Sequence, residues 1–234
     1  MHYKNNYLYQ QLKRIYHLGS FPFYYFTQNN YKKNMCKWFI DNPANELNYE
    51  YDLNSDSVVF DLGGHIGLFS EKIIEKFDCY VYIFEPVKEY VDILKNKFSK
   101  NKKVKIFDFW LSSTSKKEDI YVVGSLGEWT SIYQKSDNKI TIDLIDIEEF
   151  LDKEKIDKID LFSINIEWGE YDVIPRLIET WYIKIIQNIQ IQFHDFIDQA
   201  DQKRKNILGK LNKTHKIKYS YPFVWEAFTL NKNR

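Results

Sequence analysis

Five short groups of residues carry the types that ligand chemistry needs, and each follows an apolar run. They are Asp61-Leu62-Gly63-Gly64-His65-Ile66-Gly67, Glu85-Pro86, Asp108-Phe109, Asn165-Ile166-Glu167 and His194-Asp195. A carboxylate in such a place accepts from an ammonium, a hydroxyl or bound water. Gly63 and Gly64 let the backbone pass close to a ligand. The segment opened by Gly67 reads as a helix, whose first N–H groups have no intrahelical partner. Glu85 stands 24 residues after Asp61, near the spacing at which dinucleotide sites place the acid that accepts from ribose hydroxyls. Pro86 removes an N–H and stiffens the turn. An acid in either place could instead cap a helix.

His194 titrates near neutrality and suits removal of a proton from a hydroxyl. Glu167 is the second candidate base. A structural histidine and a substrate-positioning carboxylate are the alternatives. Asp195 adjoins His194, but neighbours on a strand face opposite ways, so Asp195 need not orient the imidazole. His65 could touch a cofactor, face an acceptor, or fill the loop. "GSLGEWTSIY" offers Trp129 and Thr130 as groups that could stack on or bond to a sugar, or form a surface hairpin. "YPFVWEAF" offers Trp225 and Glu226, with core packing expected for its apolar positions. A G-x-G-x-x-G fingerprint fails here: with Gly64 and Gly67 as its second and third glycines, Leu62 occupies the first position. That failure, with the lack of a Tyr-x-x-x-Lys pair accompanied by a suitable serine, counts against a nicotinamide-dependent oxidoreductase.

The elements that must position these groups alternate from residue 57 onward. "SVVFDL", "CYVYIFE" and "VKIFDFWL" read as strands, and "GLFSEKIIEKF" and "VKEYVDILKNKF" between them as helices. "EDIYVVG" and "KITIDLI" are further strands, followed by a short helix in "IEEFLDKEK". "KIDLFSINIE" and the start of "IKIIQNIQIQFHDF" read as buried strands, and "EYDVIPRLIETWY" as a helix with an internal Pro175. "QADQKRKNILGKLNKTH" is a helix that Gly209 interrupts or ends early, and "KIKYSYPFVWEAFTL" a closing strand pair. Strands alternating with helices predict βαβ units and a parallel sheet. Ligands then bind beyond the carboxyl ends of the strands, where all five groups fall. Residues 1–50 differ. Leu8, Leu12 and Ile15 form one helical face, and "YKKNMCKWFI" a second helix, so a helical extension is expected on a main domain of residues 51–234.

The combination of "VVFDLGGHIGLFS", "VYIFEP" and "IDLFSINIEWGEYDVIPRL" resembles S-adenosylmethionine-dependent methyltransferases of the FkbM type, over about residues 55–230. The resemblance implies an α/β Rossmann-like class I methyltransferase core with a mostly parallel seven-stranded sheet flanked by helices. It implies S-adenosyl-L-methionine as cofactor and methyl transfer to a hydroxyl oxygen of a sugar, sugar nucleotide, glycan or related small metabolite. Asp61, Gly63, Gly64, His65 and Gly67 match the cofactor loop, Glu85 and Pro86 the ribose-binding turn, and Asp108 and Phe109 the adenine position. "SINIEWGE" departs from the family's Lys-x-Asp-x-Glu-Gly: Ser163 replaces the lysine, Asn165 the aspartate and Trp168 the glycine, while Glu167 is kept. An amide takes up no proton near neutral pH. Either the family's aspartate is a binding group that Asn165 replaces at the catalytic position, or the base lies elsewhere, at His194 or Glu167. Trp168 and Asp195 are expected to bind the acceptor, and a catalytically silent cofactor-binding module is the alternative.

Composition bounds the rest. The 234 residues suit one α/β domain with an extension. Thirty-three basic and 33 acidic residues give zero net charge, which excludes the strongly basic footprint of a nucleic-acid binder. The lysines from Lys95 to Lys105 read as a solvated helix end rather than an anion site. Two distant cysteines, Cys36 and Cys79, give no metal-ligand spacing, so no dedicated metal site is expected. Two free thiols, no apolar run of membrane length and no signal-peptide pattern point to the cytoplasm. A homo-oligomer is compatible with all of this.

Overall fold

A computed structural model describes residues 15–16, 18–20, 22, 30–123, 129–131 and 139–231. The alternating pattern forms eleven strands among these residues. Seven belong to the main sheet: β1 (Val58–Leu62), β2 (Tyr80–Phe84), β3 (Val104–Phe107), β8 (Leu161–Ile164), β9 (Asn188–Ile191), β10 (His215–Tyr221) and β11 (Trp225–Leu230). Their order is β10-β11-β9-β8-β1-β2-β3. Every pairing from β9 to β3 is parallel, and only β11 is reversed. The expected mostly parallel seven-stranded sheet is present.

Period-two alternation divides the core. Phe60, Leu62, Phe84, Phe162, Ile164, Ile189 and Ile191 face α4 (Ile147–Glu154), α5 (Glu170–Glu179) and α6 (Ala200–Leu211). Val59, Val81, Ile83 and Leu161 face α2 (Leu68–Phe77) and α3 (Lys88–Lys97). Both faces are therefore covered, as strands this apolar require. Each such side chain, fully buried, contributes about 1.5–3 kcal/mol.

The chain leaves β3 to build a second sheet before entering α4. Its strands are β4 (Trp110–Ser112), β5 (Lys116–Val123), β6 (Trp129–Ser131) and β7 (Lys139–Asp146), in the order β4-β7-β5-β6. The single strand expected in "VKIFDFWL" is thus two strands in two sheets, broken at Asp108 and Phe109. The long strand expected from Ile183 is a 3-10 turn (Tyr182–Ile185) followed by a four-residue strand. "KIDLFSINIE" is strand only over its middle four residues. Gly209 neither interrupts nor ends α6, which runs on to Leu211. An added Cβ there would meet open space, so that glycine carries no packing constraint.

The helix α1 (Asn30–Asp41) lies along the β10–β11 hairpin, where Trp38 packs on Tyr219 and Tyr221. Leu8 and Leu12 lie outside the described residues; Ile15 is helical and exposed. Under the same hairpin Arg204 donates through Nε and Nη2 to Glu226, at 2.5 and 2.7 Å, and the Ser220 hydroxyl also donates to it. Glu226 therefore serves a buried ion pair rather than an acceptor pocket. Removing one partner of such a pair strands a buried charge. Arg204→Met is expected to cost about 3–5 kcal/mol in urea denaturation, and to lower Tm by about 10 °C.

Candidate active site

At β1 the sheet order reverses: the chain moves outward through β2 and β3, then returns to the other side of β1 at β8. The loops leaving β1 and β8 therefore diverge, and the crevice between them is where such sheets bind ligands. Gly63 fills the narrowest point. Its φ is +88°, and a Cβ would sit 2.1 Å from the Asn165 carbonyl oxygen. Gly64 is as tight against Ile83 on β2, where a Cβ would lie 2.1 Å from that side chain. In the structure these glycines let backbone approach protein atoms.

Asp61 alternates with the core residue Val59 and so points to the α2 face, where Ser70 donates to it at 2.5 Å. Burial pushes its carboxyl up to about 6, against the lowering by the Ser70 hydroxyl. Glu85 leaves β2 buried, its two oxygens accepting from the N–H groups of His65 and Val87 at 2.9 and 3.0 Å. Burial, with Asp61 adding to it, pushes Glu85 up to about 7. Pro86 continues this turn into α3. Each Glu85 oxygen keeps a second lone pair, so this pair of acceptors fits a vicinal diol such as that of a nucleoside. His65 turns its ring edge-on to Tyr90 of α3, 4.2 Å between centroids. Asp108 is exposed. Phe109 packs in a cluster with Phe84, Phe107 and Phe150, and with Phe107, Phe150, Ile145 and Glu149 it lines a cavity of about 330 Å³.

Across the crevice, β8 and β9 bring together the residues suited to proton transfer. Glu170 opens α5, fully buried, and its Oε1 accepts both the backbone N–H and Nδ1 of His194 at 2.8 Å each. The Tyr171 hydroxyl donates to the His194 carbonyl at 2.7 Å. Burial lowers the affinity of His194 for a proton, but the bond to Glu170 and the charges of Glu170, Glu167 and Asp195 outweigh it, and its pKa is raised. With Nδ1 engaged, Nε2 is the nitrogen left to exchange a proton. Glu170 was not among the residues singled out from sequence; as the first residue of an amphipathic helix it reads as a first-turn acid. Its Oε2 is buried with no hydrogen-bond partner among the described residues.

Glu167 sits in a turn with φ +64°, where the Trp168 N–H reaches back to the Ile166 carbonyl at 2.7 Å. Such backbone is strained for a residue with a Cβ and concentrates at functional sites. Burial raises the Glu167 carboxyl to about 7, with His194 opposing and Glu170 adding. Asn165 is exposed, and Trp168 meets Trp110 edge-on at 5.5 Å. Ser163, in place of the family's lysine, accepts from Gln190, which itself accepts from Tyr51. Asp195 is exposed. Trp129 and Thr130, in β6, pair with Val123 and Val122 of β5, remote in sequence from the crevice loops. Residues 124–128 and 132–133 of "GSLGEWTSIY" lie outside the described residues. The structure gathers Asp61, Glu85 and the glycine loop on one side, and His194, Glu170 and Glu167 on the other. Among the described residues no group of three or more His, Cys, Asp or Glu side chains could hold a metal ion. Nor is any helix there long and apolar enough to cross a membrane.

Residues 61–224 match the model of the methyltransferase FkbM domain. Comparison with curated protein sequences produced no match. Solved structures that resemble the chain include a putative rRNA-methylase from Clostridium thermocellum, 9% identical with a TM-score of 0.46 over 76% of this chain and 91% of that one. Precorrin-6y C5,15-methyltransferase from Geobacter metallireducens is 10% identical, TM-score 0.44, over 79% and 85%. The N-methyltransferase NodS from Bradyrhizobium japonicum, in complex with S-adenosyl-L-homocysteine, is 8% identical, TM-score 0.39, over 76% and 80%.

Asp61 and Glu85 both hold their protons more tightly folded than unfolded. Their contribution to stability is full below about pH 4 and is lost as pH rises through about 6 to 7. In the cofactor-free protein, Asp61→Asn is expected to flatten this decline in unfolding free energy, measured by urea titration across that range. An unchanged slope would refute the burial assignment.

Proposed function

Since the chain belongs to the FkbM methyltransferase family, we propose that it transfers the methyl group of S-adenosylmethionine to a hydroxyl oxygen of a carbohydrate or related small metabolite. The cofactor is S-adenosylmethionine; when bound it supplies an electrophilic methyl carbon on a good leaving group. The chain's own residues have three tasks. Glu85, with its two free lone pairs, holds a ribose diol, and the loop from Gly63 to Gly67 lies against the rest of the nucleoside. Asp61 braces that loop through Ser70 at the start of α2. His194 takes the proton of the acceptor hydroxyl at Nε2, while Glu170 fixes the ring and stabilises the imidazolium formed.

The Glu170–His194 pair carries this reading: a buried carboxylate holds the imidazole by Nδ1 at the carboxyl end of β9. Asn165 cannot replace it as a base. Glu167, strained and half-buried beside His194, positions the acceptor or shares its proton. Zero net charge disfavours a polyanionic acceptor such as RNA. Residues 1–50 form an extension, and residues 51–234 the methyltransferase domain.

Calorimetry with S-adenosylhomocysteine should show binding, about 10²-fold weaker in Glu85→Ala, which removes two charge-assisted bonds. Binding of NAD with none of S-adenosylhomocysteine would overturn the reading. His194→Ala should lower kcat by about 10²–10⁴-fold on an accepted sugar. The imidazole must be neutral to accept a proton, so activity should rise with pH through its raised pKa. Glu170→Gln removes the negative partner and should move that limb to lower pH, which a merely structural glutamate would leave in place.

A further inference from the structure

Helix α1 precedes the segment that the family model matches, yet its first turn reaches the end of the sheet that holds His194. Strand register places it there. β9 and β10 are both antiparallel to β11 and so run the same way, and Glu226 at the start of β11 pairs with Ile191 at the end of β9. The turn joining β10 to β11 therefore lies at the end where β9 releases Gln192 to Asp195. Asn34 of α1 donates through Nδ2 to the Pro222 carbonyl in that turn, at 3.1 Å. Trp38, one turn further on, packs beside Tyr219 and Tyr221 at 5.7 and 5.2 Å. The chain then descends beside β10: Asn48 accepts from the Tyr219 hydroxyl, and the Glu50 carbonyl from Lys218. Tyr31, one turn before Asn34, thus stands at the His194 end.

Two partly exposed aromatic rings and one carboxylate belong to this end of the sheet. Tyr31 is 36% exposed and Phe196 43%. The Phe196 ring lies 5.2 Å from the His194 imidazole, centroid to centroid. Asp195 is exposed between them in sequence, and its carboxylate adds to burial in raising the Tyr31 hydroxyl above its usual value. Single exposed aromatics are ordinary on protein surfaces. These two come from segments 165 residues apart in the chain; Phe196 adjoins the candidate base and α1 brings Tyr31 to the same end of the sheet.

We propose that Tyr31, Asp195 and Phe196 form the acceptor-recognition edge of the site, and that the acceptor they select is a pyranose. A pyranose has an apolar C–H face, which aromatic rings cover, and a rim of hydroxyls, from which a carboxylate accepts. The N-terminal extension then determines specificity although it lies outside the matched domain. This rests on the reading of His194 as the group that faces the acceptor hydroxyl.

The test uses the full chain saturated with S-adenosylhomocysteine, probed by saturation-transfer NMR with methyl pyranosides of glucose, galactose, mannose and rhamnose. At least one should bind the wild type. Tyr31→Ala and Phe196→Ala should each weaken it about three- to tenfold, Tyr31→Phe should retain it, and affinity for S-adenosylhomocysteine should stay unchanged in all three. Unchanged glycoside affinity in both alanine variants, or no glycoside bound by the loaded wild type, would overturn the proposal while leaving methyl transfer standing. Failure of the wild type to bind S-adenosylhomocysteine would remove the methyl-transfer reading, and this proposal with it.

Discussion

The site depends on one close approach. At the point where the strand order reverses, Gly63 passes the Asn165 carbonyl with no room for a Cβ. The contact sets the width of the crevice between the loops after β1 and β8. On one side it fixes the loop that runs to His65, whose N–H reaches Glu85. On the other it fixes the start of the turn through Glu167 to Glu170. Both halves of the chemistry are thus referred to one backbone contact. It also explains why the loop opens with two glycines where a dinucleotide fingerprint would space them: the first tight neighbour is another strand's exit rather than a pyrophosphate.

Burial sets the electrostatics on both sides of that contact. Asp61, Glu85 and Glu167 are all pushed above the ordinary carboxylate range by desolvation. His194 moves upward against its own desolvation, because Glu170 bonds to it directly. Acids that gain protons and a base that gains a counter-charge bring the whole set toward neutrality, where modest changes of environment move protons. A bound diol or acceptor hydroxyl is such a change.

Much of this arrangement was legible in residue pattern. The alternation from residue 57 onward identified the parallel sheet, and the positions after the strands identified Asp61, Glu85, Glu167 and His194 as neighbours at one end. Three features were not legible, each for a physical reason. The break at Asp108 and Phe109 was hidden because an apolar run looks the same whether it stays in one sheet or enters another. Glu170 was hidden because an acid in a helix's first turn is ordinary, and only the arrival of His194 from 24 residues later gives it a partner. The role of Ser163 was hidden because its bond to Gln190 crosses two strands far apart in the chain. Long-range partnership is what periodicity cannot convey.

The reversal of strand order also bears on how the molecule assembles. β1 pairs with β2 from Val58 opposite Tyr80, but with β8 from Val59 opposite Leu161. The first pairing closes a short loop; the second must wait for the intervening chain, including a whole second sheet, to be gathered in. Closure of so long a loop is entropically costly before its contacts form, and non-local parallel pairing is slow. The crevice is therefore a late product of folding. A chain arrested midway would hold the β1–β3 half with its glycine loop in place while His194 and Glu170 had yet to meet it, leaving the sheet's central strand with one open edge exposed to association with other chains.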